Sequence, residues 1–197
     1  MFWWRKYGLQ HRSLASLGCL VGLLLSGCSS QKEQPRESPA ARYGLAKALF
    51  EQTTRSFHIP SAEAKGPERQ RLQTEAMAGY QRLIKEYPEQ EYWAAQALRS
   101  VGNIYASQTN IAAAVTHYSQ VEMHYPKEEW QLLMAWKSAA DLLYDTHRQD
   151  EAKQFYGKII HRFDSPDAGQ VVKMVVRGSK LRLEEPGNGP VFQSRDT

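Results

Sequence analysis

Apolar residues recur along the chain with a period of 38 residues. Tyr80, Tyr118 and Tyr156 are separated by 38 residues each. Three further columns keep the same register: Ala76/Ala114/Ala152, Leu83/Val121/Ile159 and Tyr87/Tyr125/Phe163. Four matched columns in one register indicate an internal repeat, because a single matched triple could arise by chance but four could not.

The spacing within each unit is helical. The columns that begin at Ala76 fall at i, i+4, i+7 and i+11, which is one face of an α-helix, and Pro88 forbids its continuation. A second stripe precedes the next unit, and its members are Leu98, Val101, Gly102 and Tyr105. The period carries Gly102 to Ala140 and Gly178, so this position is small throughout and predicts a close helix crossing.

Helix pairs follow from these two stripes. The clearest unit spans 94–126 and a second spans 132–164. The first unit is weaker, since its helices, at about 41–57 and 68–87, are separated by an insertion that contains two prolines. A last helix at about 167–183 begins a fourth unit, and Arg177 predicts a solvated side for it, as in a capping helix.

This pattern resembles the tetratricopeptide repeat. The family has Leu, Gly and Tyr on its first helix and Ala, an aromatic residue and Pro on its second, as at Leu98, Gly102, Tyr105, Ala114 and Pro126. The resemblance implies an all-α fold, a short right-handed α-solenoid of about three helix pairs plus a C-terminal capping helix. The unit exceeds the usual length of about 34 residues, and we expect the extra residues after each proline to extend a turn or a helix end.

The N-terminus predicts a cleavable leader. Three basic residues precede a short apolar run at 14–25, too short to span a bilayer but suited to a signal peptide. The run ends at Leu25-Ser26-Gly27-Cys28, which resembles the lipobox of bacterial lipoproteins. The resemblance implies cleavage before Cys28, with a diacylglyceryl thioether and an N-acyl chain on it. An ordinary signal peptide, or an apolar anchor with a chance cysteine, is the alternative.

The predicted domains follow from this leader and the repeats. They are a signal peptide (1–27), the lipidated cysteine with a disordered tether (28–40), the repeat domain (41–183) and a disordered tail (184–197). Ser29 stands where an aspartate would favour inner-membrane retention. We therefore expect a lipid-anchored protein of the outer membrane that faces the periplasm.

The composition gives no reason to expect a nucleic-acid partner. From Cys28 onward the chain carries 22 basic and 21 acidic residues, a net charge of +1. No phosphate loop, GxSxG or HExxH motif is present in the sequence. The histidines from His58 onward have no carboxylate or thiol partners at ligand spacing, so we interpret them as exposed polar residues. We expect no catalytic site, no metal and no cofactor other than the covalent lipid.

In tetratricopeptide proteins the first helices line a concave groove that holds peptides or partner helices. Carried over by register, the groove positions are Gln96, Arg99, Asn103, Ser107, Met134, Lys137, Asp141 and Tyr144. Arg99 with Asn103 resembles half of a carboxylate clamp, but the next unit has Asp141 in place of the asparagine. A general peptide or protein groove is therefore the main hypothesis.

Two other surfaces are open to interpretation. Trp93 and Trp130 fall in the extended turns, where they are either exposed partner anchors or covers of the seam between repeats. The segment from Lys153 to Arg182 is locally basic, and Lys173, Arg177 and Lys180 share one face. This face is either solvated or a contact for an anionic lipid, a glycan or an acidic partner.

The leading functional hypothesis is a non-catalytic scaffold or adaptor of the cell envelope that binds a protein or peptide. The chain resembles the repeat lipoprotein of the outer-membrane β-barrel assembly machine and the repeat domain of the Tol–Pal coordinator, an analogy of fold that does not fix function. The alternative is an adaptor that regulates or recruits peptidoglycan enzymes of the cell wall and of division.

Overall fold

A computed structural model describes residues 37–184 as an all-α array of packed helices. Cys28, the predicted signal peptide, most of the tether and the tail lie outside the described residues. The α-helices of the described part are α1 (Pro39–Thr53), α2 (Ile59–Glu63), α3 (Gly66–Glu86), α4 (Glu91–Ser107), α5 (Ile111–His124), α6 (Glu129–Asp145), α7 (Gln149–Phe163) and α8 (Gln170–Glu184). From α3 onward each helix packs against the next. The predicted all-α solenoid of helix pairs is confirmed.

The predicted insertion in the first unit is helical. A π-helical turn, Thr54–His58, joins α1 to α2, so the first helix continues to Glu63 instead of ending near residue 57. The turn ends two residues before Pro60, whose ring would clash with a carbonyl of a regular α-helix. The wider turn thus lets the chain pass a proline without leaving the helix.

The repeat register describes the core correctly. Ala76, Ala114 and Ala152 are fully buried, and the three tyrosines one turn later are at most 2% exposed. Leu83, Val121 and Ile159 are also fully buried. The same apolar column therefore faces the interior in every second helix.

The turns between paired helices obey the same period. Thr109 follows α4 with φ of 59°, and His147, 38 residues later, follows α6 with φ of 61°. Asn110 then caps α5, since its side chain accepts a hydrogen bond from the Ala113 amide at 3.2 Å. A left-handed residue lets the chain reverse within three residues.

The column of small residues that contains Gly102 and Gly178 is closely packed at only some of its positions. A Cβ placed on Gly102 would lie 2.5 Å from Cε1 of Tyr118, which confirms the predicted close crossing of α4 and α5. No heavy atom of the described residues lies within 4 Å of a Cβ placed on Gly178. The expectation of a close crossing was wrong at Gly178, because no described helix packs over that side of α8.

The two tryptophans have different environments. Trp93 lies in the first turn of α4, only 9% exposed, with its ring 5.5 Å from that of Phe50. Trp130 lies in the first turn of α6 and is 45% exposed. The extra residues after each proline thus extend helix starts, and Trp93 is excluded as an exposed anchor.

None of the helices within residues 37–184 is both long enough and apolar enough to cross a bilayer.

Candidate partner-binding groove

The first helices of successive units, α4 and α6, pack directly against each other and carry the predicted groove residues. Arg99 on α4 donates from Nε to Oε1 of Gln131 on α6 at 3.2 Å. Burial lowers the pKa of Arg99 from its usual value. Arg99 therefore joins two repeats in addition to facing the groove.

The groove column of Asn103 and Asp141 is bonded to the core tyrosines. The Tyr118 hydroxyl donates to Oδ1 of Asn103, and the Tyr156 hydroxyl donates to Oδ1 of Asp141, each at 2.9 Å. These two bonds are one repeat apart and geometrically equivalent. These two hydrogen bonds therefore link the floor of the groove to the core.

In the first unit the hydroxyl of the core tyrosine contacts different residues. The Tyr80 hydroxyl lies 2.8 Å from both Thr54 Oγ1 and His58 Nδ1, which the π-helical turn presents. His58 is half-buried, and burial lowers the pKa of its imidazole. The interpretation of all the histidines as exposed polar residues was wrong for His58 and for His117, which is also half-buried.

Charge at the centre of the groove is internally compensated. Lys137 and Asp141 form an ion pair one helical turn apart on α6. The second oxygen of Asp141 accepts from Tyr156, whose pKa is raised by burial and by this hydrogen bond. Because Arg99 and Lys137 both have partners, a free carboxylate would have to displace them, which disfavours a simple carboxylate clamp.

A cleft of about 270 Å³ continues the groove between α6 and α8. Lys137 and Asp141 line it from α6, and Val175, Ser179 and Arg182 line it from α8. These three α8 residues stand 38 residues after Lys137, Asp141 and Tyr144. The remaining lining residues are Asp145, Tyr156, Met174 and Gly178.

Several of these residues were missed by reasoning from the sequence. Asp145 follows Ser107 by one period, and Arg182 follows Tyr144, so extending the register one unit further would have found both. The Arg182 guanidinium carbon lies 4.1 Å from the centre of the Tyr144 ring. This cation–π contact places Tyr144 of α6 and Arg182 of α8 on one continuous surface at the cleft.

The other predicted groove residues are placed less centrally. Gln96 and Met134 are half-buried, and Ser107 is exposed at the end of α4. Oε1 of Gln96 is buried and has no hydrogen-bond partner among residues 37–184. Gln96 is thus the one predicted groove residue with a buried and unsatisfied acceptor in the described part of the chain.

The basic face of α8 lies apart from this groove. Lys173, Arg177 and Lys180 are exposed, and Nζ of Lys180 pairs with Asp164 at 2.6 Å. Within the described part of the chain, no group of three or more His, Cys, Asp or Glu side chains is arranged to hold a metal ion.

The family model for the tetratricopeptide repeat matches residues 40–89. This interval covers the first helix pair, the unit with the least regular sequence, and the 38-residue columns continue from it to Phe163. These findings support a tetratricopeptide-repeat protein. Such repeats generally bind protein partners and are typically non-catalytic scaffolds. The chain matches no curated protein.

Proposed function

We propose that this chain is a lipid-anchored adaptor of the bacterial envelope that binds a segment of a partner protein in its concave groove. The observation that carries the proposal is the cleft between α6 and α8, where residues of one repeat register converge from two first helices. A general role in protein–protein interaction is what the repeat supports. The envelope setting rests on the sequence around Cys28.

The chemistry of the cleft favours a polar segment of mixed charge. Two cations, Lys137 and Arg182, face two anions, Asp141 and Asp145, around a tyrosine hydroxyl. Its formal charge is therefore balanced, so recognition depends on directional hydrogen bonds more than on net attraction. Met174 and Val175 add an apolar wall on the α8 side.

Replacement of Lys137 by Glu is expected to weaken partner binding at least tenfold. The change places a third carboxylate beside Asp141 and Asp145 and removes a cation from the cleft. Because the Lys137 side chain is 40% exposed, we expect the stability to change by less than about 1 kcal/mol. The measurement is the yield of partners co-purified from detergent-solubilised membranes, quantified by mass spectrometry.

Lys158→Glu provides the matched control for the groove. Lys158 is 44% exposed and also has one ion-pair partner, Glu122 at 2.7 Å, but it lies outside the cleft. Partners must be retained by this variant and lost by Lys137→Glu. Equal recovery with both variants would refute the groove as the binding site.

The same experiment separates the two envelope pathways. We propose outer-membrane protein assembly, for which the groove-dependent partners are periplasmic domains of barrel-assembly proteins. Groove-dependent recovery of peptidoglycan enzymes alone would instead establish the alternative, an adaptor for cell-wall or division enzymes.

Cys28→Ser is expected to abolish lipid attachment and membrane retention. The lipobox resemblance makes the Cys28 thiol the acceptor of the diacylglyceryl group, and acyl chains contribute about 0.8 kcal/mol per buried CH₂ to anchoring. The measurements are incorporation of radiolabelled palmitate and fractionation between membrane and soluble protein. Cys19→Ser, within the apolar run, is the control and should keep both; unchanged labelling of Cys28→Ser would exclude the anchor.

A further inference from the structure

Helix α8 presents an uncovered apolar stripe. Val171, Met174 and Leu181 are 55%, 71% and 52% exposed, and they lie with Gly178 on one helical face. A Cβ added to Gly178 would meet no heavy atom of the described residues within 4 Å. Large apolar side chains in a contiguous row on a surface mark an interaction site.

The repeat register shows what normally covers this stripe. The equivalent positions are Ala95, Leu98, Gly102 and Tyr105 on α4, and Leu133, Trp136, Ala140 and Leu143 on α6. All are buried except Tyr105, which is half-buried. The second helix of each pair covers them, as Tyr118 covers Gly102 and as Phe163 contacts Trp136 with ring centres 6.0 Å apart.

Among residues 37–184, α8 is therefore a first helix without its second helix. Its other face is used in the normal way, since Val176 and Ser179 are buried and α8 packs on α7. The uncovered stripe continues the same interface that closes the preceding two units. Residues 185–197 carry two prolines and two glycines, the two residue types of lowest helix propensity.

We propose that the stripe on α8 binds one amphipathic helix from a partner protein, in the position of a second repeat helix. The register specifies its apolar face: a small residue, then an aromatic, an aliphatic and an aromatic residue at i, i+4, i+7 and i+11. The small and aromatic residues pack over Gly178, as Ala114 and Tyr118 belong to the helix that packs over Gly102.

The charge beside the stripe indicates which charge the partner helix carries. Lys173 and Arg177 are exposed on the same helix and form no ion pair with the described residues. A second copy of α8 would bring these cations close to their equivalents, which is unfavourable. A partner helix with acidic residues next to its apolar face is attracted instead.

A peptide with the sequence of residues 110–126 serves as a surrogate second helix. Labelled with fluorescein, it should bind the full chain in an anisotropy titration, and a version with Ser119→Glu and Gln120→Glu should bind more tightly at low salt. Val171→Glu and Leu181→Glu should each weaken binding at least tenfold, since both residues lie in the stripe but not in the α6–α8 cleft.

Ile59→Glu is the matched control, because Ile59 is β-branched like Val171 and is 58% exposed at a distant site. Lys158→Glu, outside both the cleft and the stripe, should also keep the peptide affinity. Val171→Glu, outside the cleft, should keep the groove-dependent partners, so failure of the groove and failure of the stripe are distinguishable. Equal peptide affinity in the Val171 variant and the unmodified chain would overturn the proposal.

Two other occupants would overturn it as well. Self-association in analytical ultracentrifugation that Leu181→Glu abolishes would assign the stripe to a second copy of the chain. A shift of the Val171 methyl resonances, which lie in the stripe but outside the cleft, after removal of residues 185–197 would assign the stripe to the chain's own tail.

Discussion

Gly102→Ala is expected to lower the free energy of unfolding by about 1–3 kcal/mol. The new Cβ would lie 2.5 and 2.7 Å from two carbons of the Tyr118 ring. That ring cannot move aside easily, since Tyr118 is 2% exposed and its hydroxyl is bonded to Asn103. The strain outweighs the helix propensity gained, which is about 0.5–1 kcal/mol when glycine is replaced by alanine.

Gly178→Ala, in the same column, is expected to have the opposite sign. Its Cβ meets no atom of the described residues within 4 Å, so only the gain in helix propensity, about 0.5–1 kcal/mol, remains. Urea unfolding followed by far-ultraviolet circular dichroism measures both variants against the unmodified chain. Equal effects of the two substitutions would mean that α4 and α5 do not cross at Gly102.

Stability is expected to fall as the pH rises above 10, because the folded chain keeps core tyrosines protonated. Burial raises the pKa of Tyr118 to about 12. Between the ordinary tyrosine pKa of about 10 and this value, the unfolded state ionises first, so stability is complete below pH 10 and declines up to about pH 12. The contribution of Tyr118 to this loss is about 2–3 kcal/mol.

The Tyr118→Phe variant isolates that contribution. At pH 8 the loss of the hydroxyl bond to Asn103 should cost about 1 kcal/mol. Between pH 10 and 12, however, the variant should lose less stability than the unmodified chain. The measurement is the urea midpoint at each pH, and parallel pH profiles for the two proteins would contradict the burial of the Tyr118 hydroxyl.

The periodic part of the fold follows from the sequence alone. The columns of Ala76, Tyr80 and Leu83 identify the buried face of every second helix, because apolar burial must recur with the helix pair. The π-helical turn at Thr54–His58 was not predictable in this way. Pro60 predicts the end of a helix, whereas the helix continues past it to Glu63 and packs against α3.

The two tryptophans show how far the repeat period predicts the environment of a single residue. Trp93 and Trp130 both follow a proline, but the period pairs Trp93 with Gln131 and Trp130 with Tyr92. The first pair is buried, at 9% and 1% exposed, and the second is exposed, at 45% and 39%. The period therefore predicts which tryptophan is covered, but it does not identify the residue that covers it, which for Trp93 is Phe50 on α1.

The candidate groove was predictable in register but not in chemistry. The sequence places Asn103 and Asp141 in one column. It does not show that both accept hydrogen bonds from core tyrosines, since those bonds depend on side-chain length across a helix pair. Gly178 is a different case, because its residue type conforms to the repeat but no helix of the described residues covers it as α5 covers Gly102.

The bonds from Tyr118 to Asn103 and from Tyr156 to Asp141 also constrain how this protein can change during evolution. A substitution at either groove position changes the groove surface and can also remove the acceptor of a core tyrosine hydroxyl. Lys137 is ion-paired with Asp141, so a change at Lys137 also alters the surroundings of that acceptor. A change at Asp141 must keep an acceptor for Tyr156, as the asparagine in the same column does for Tyr118.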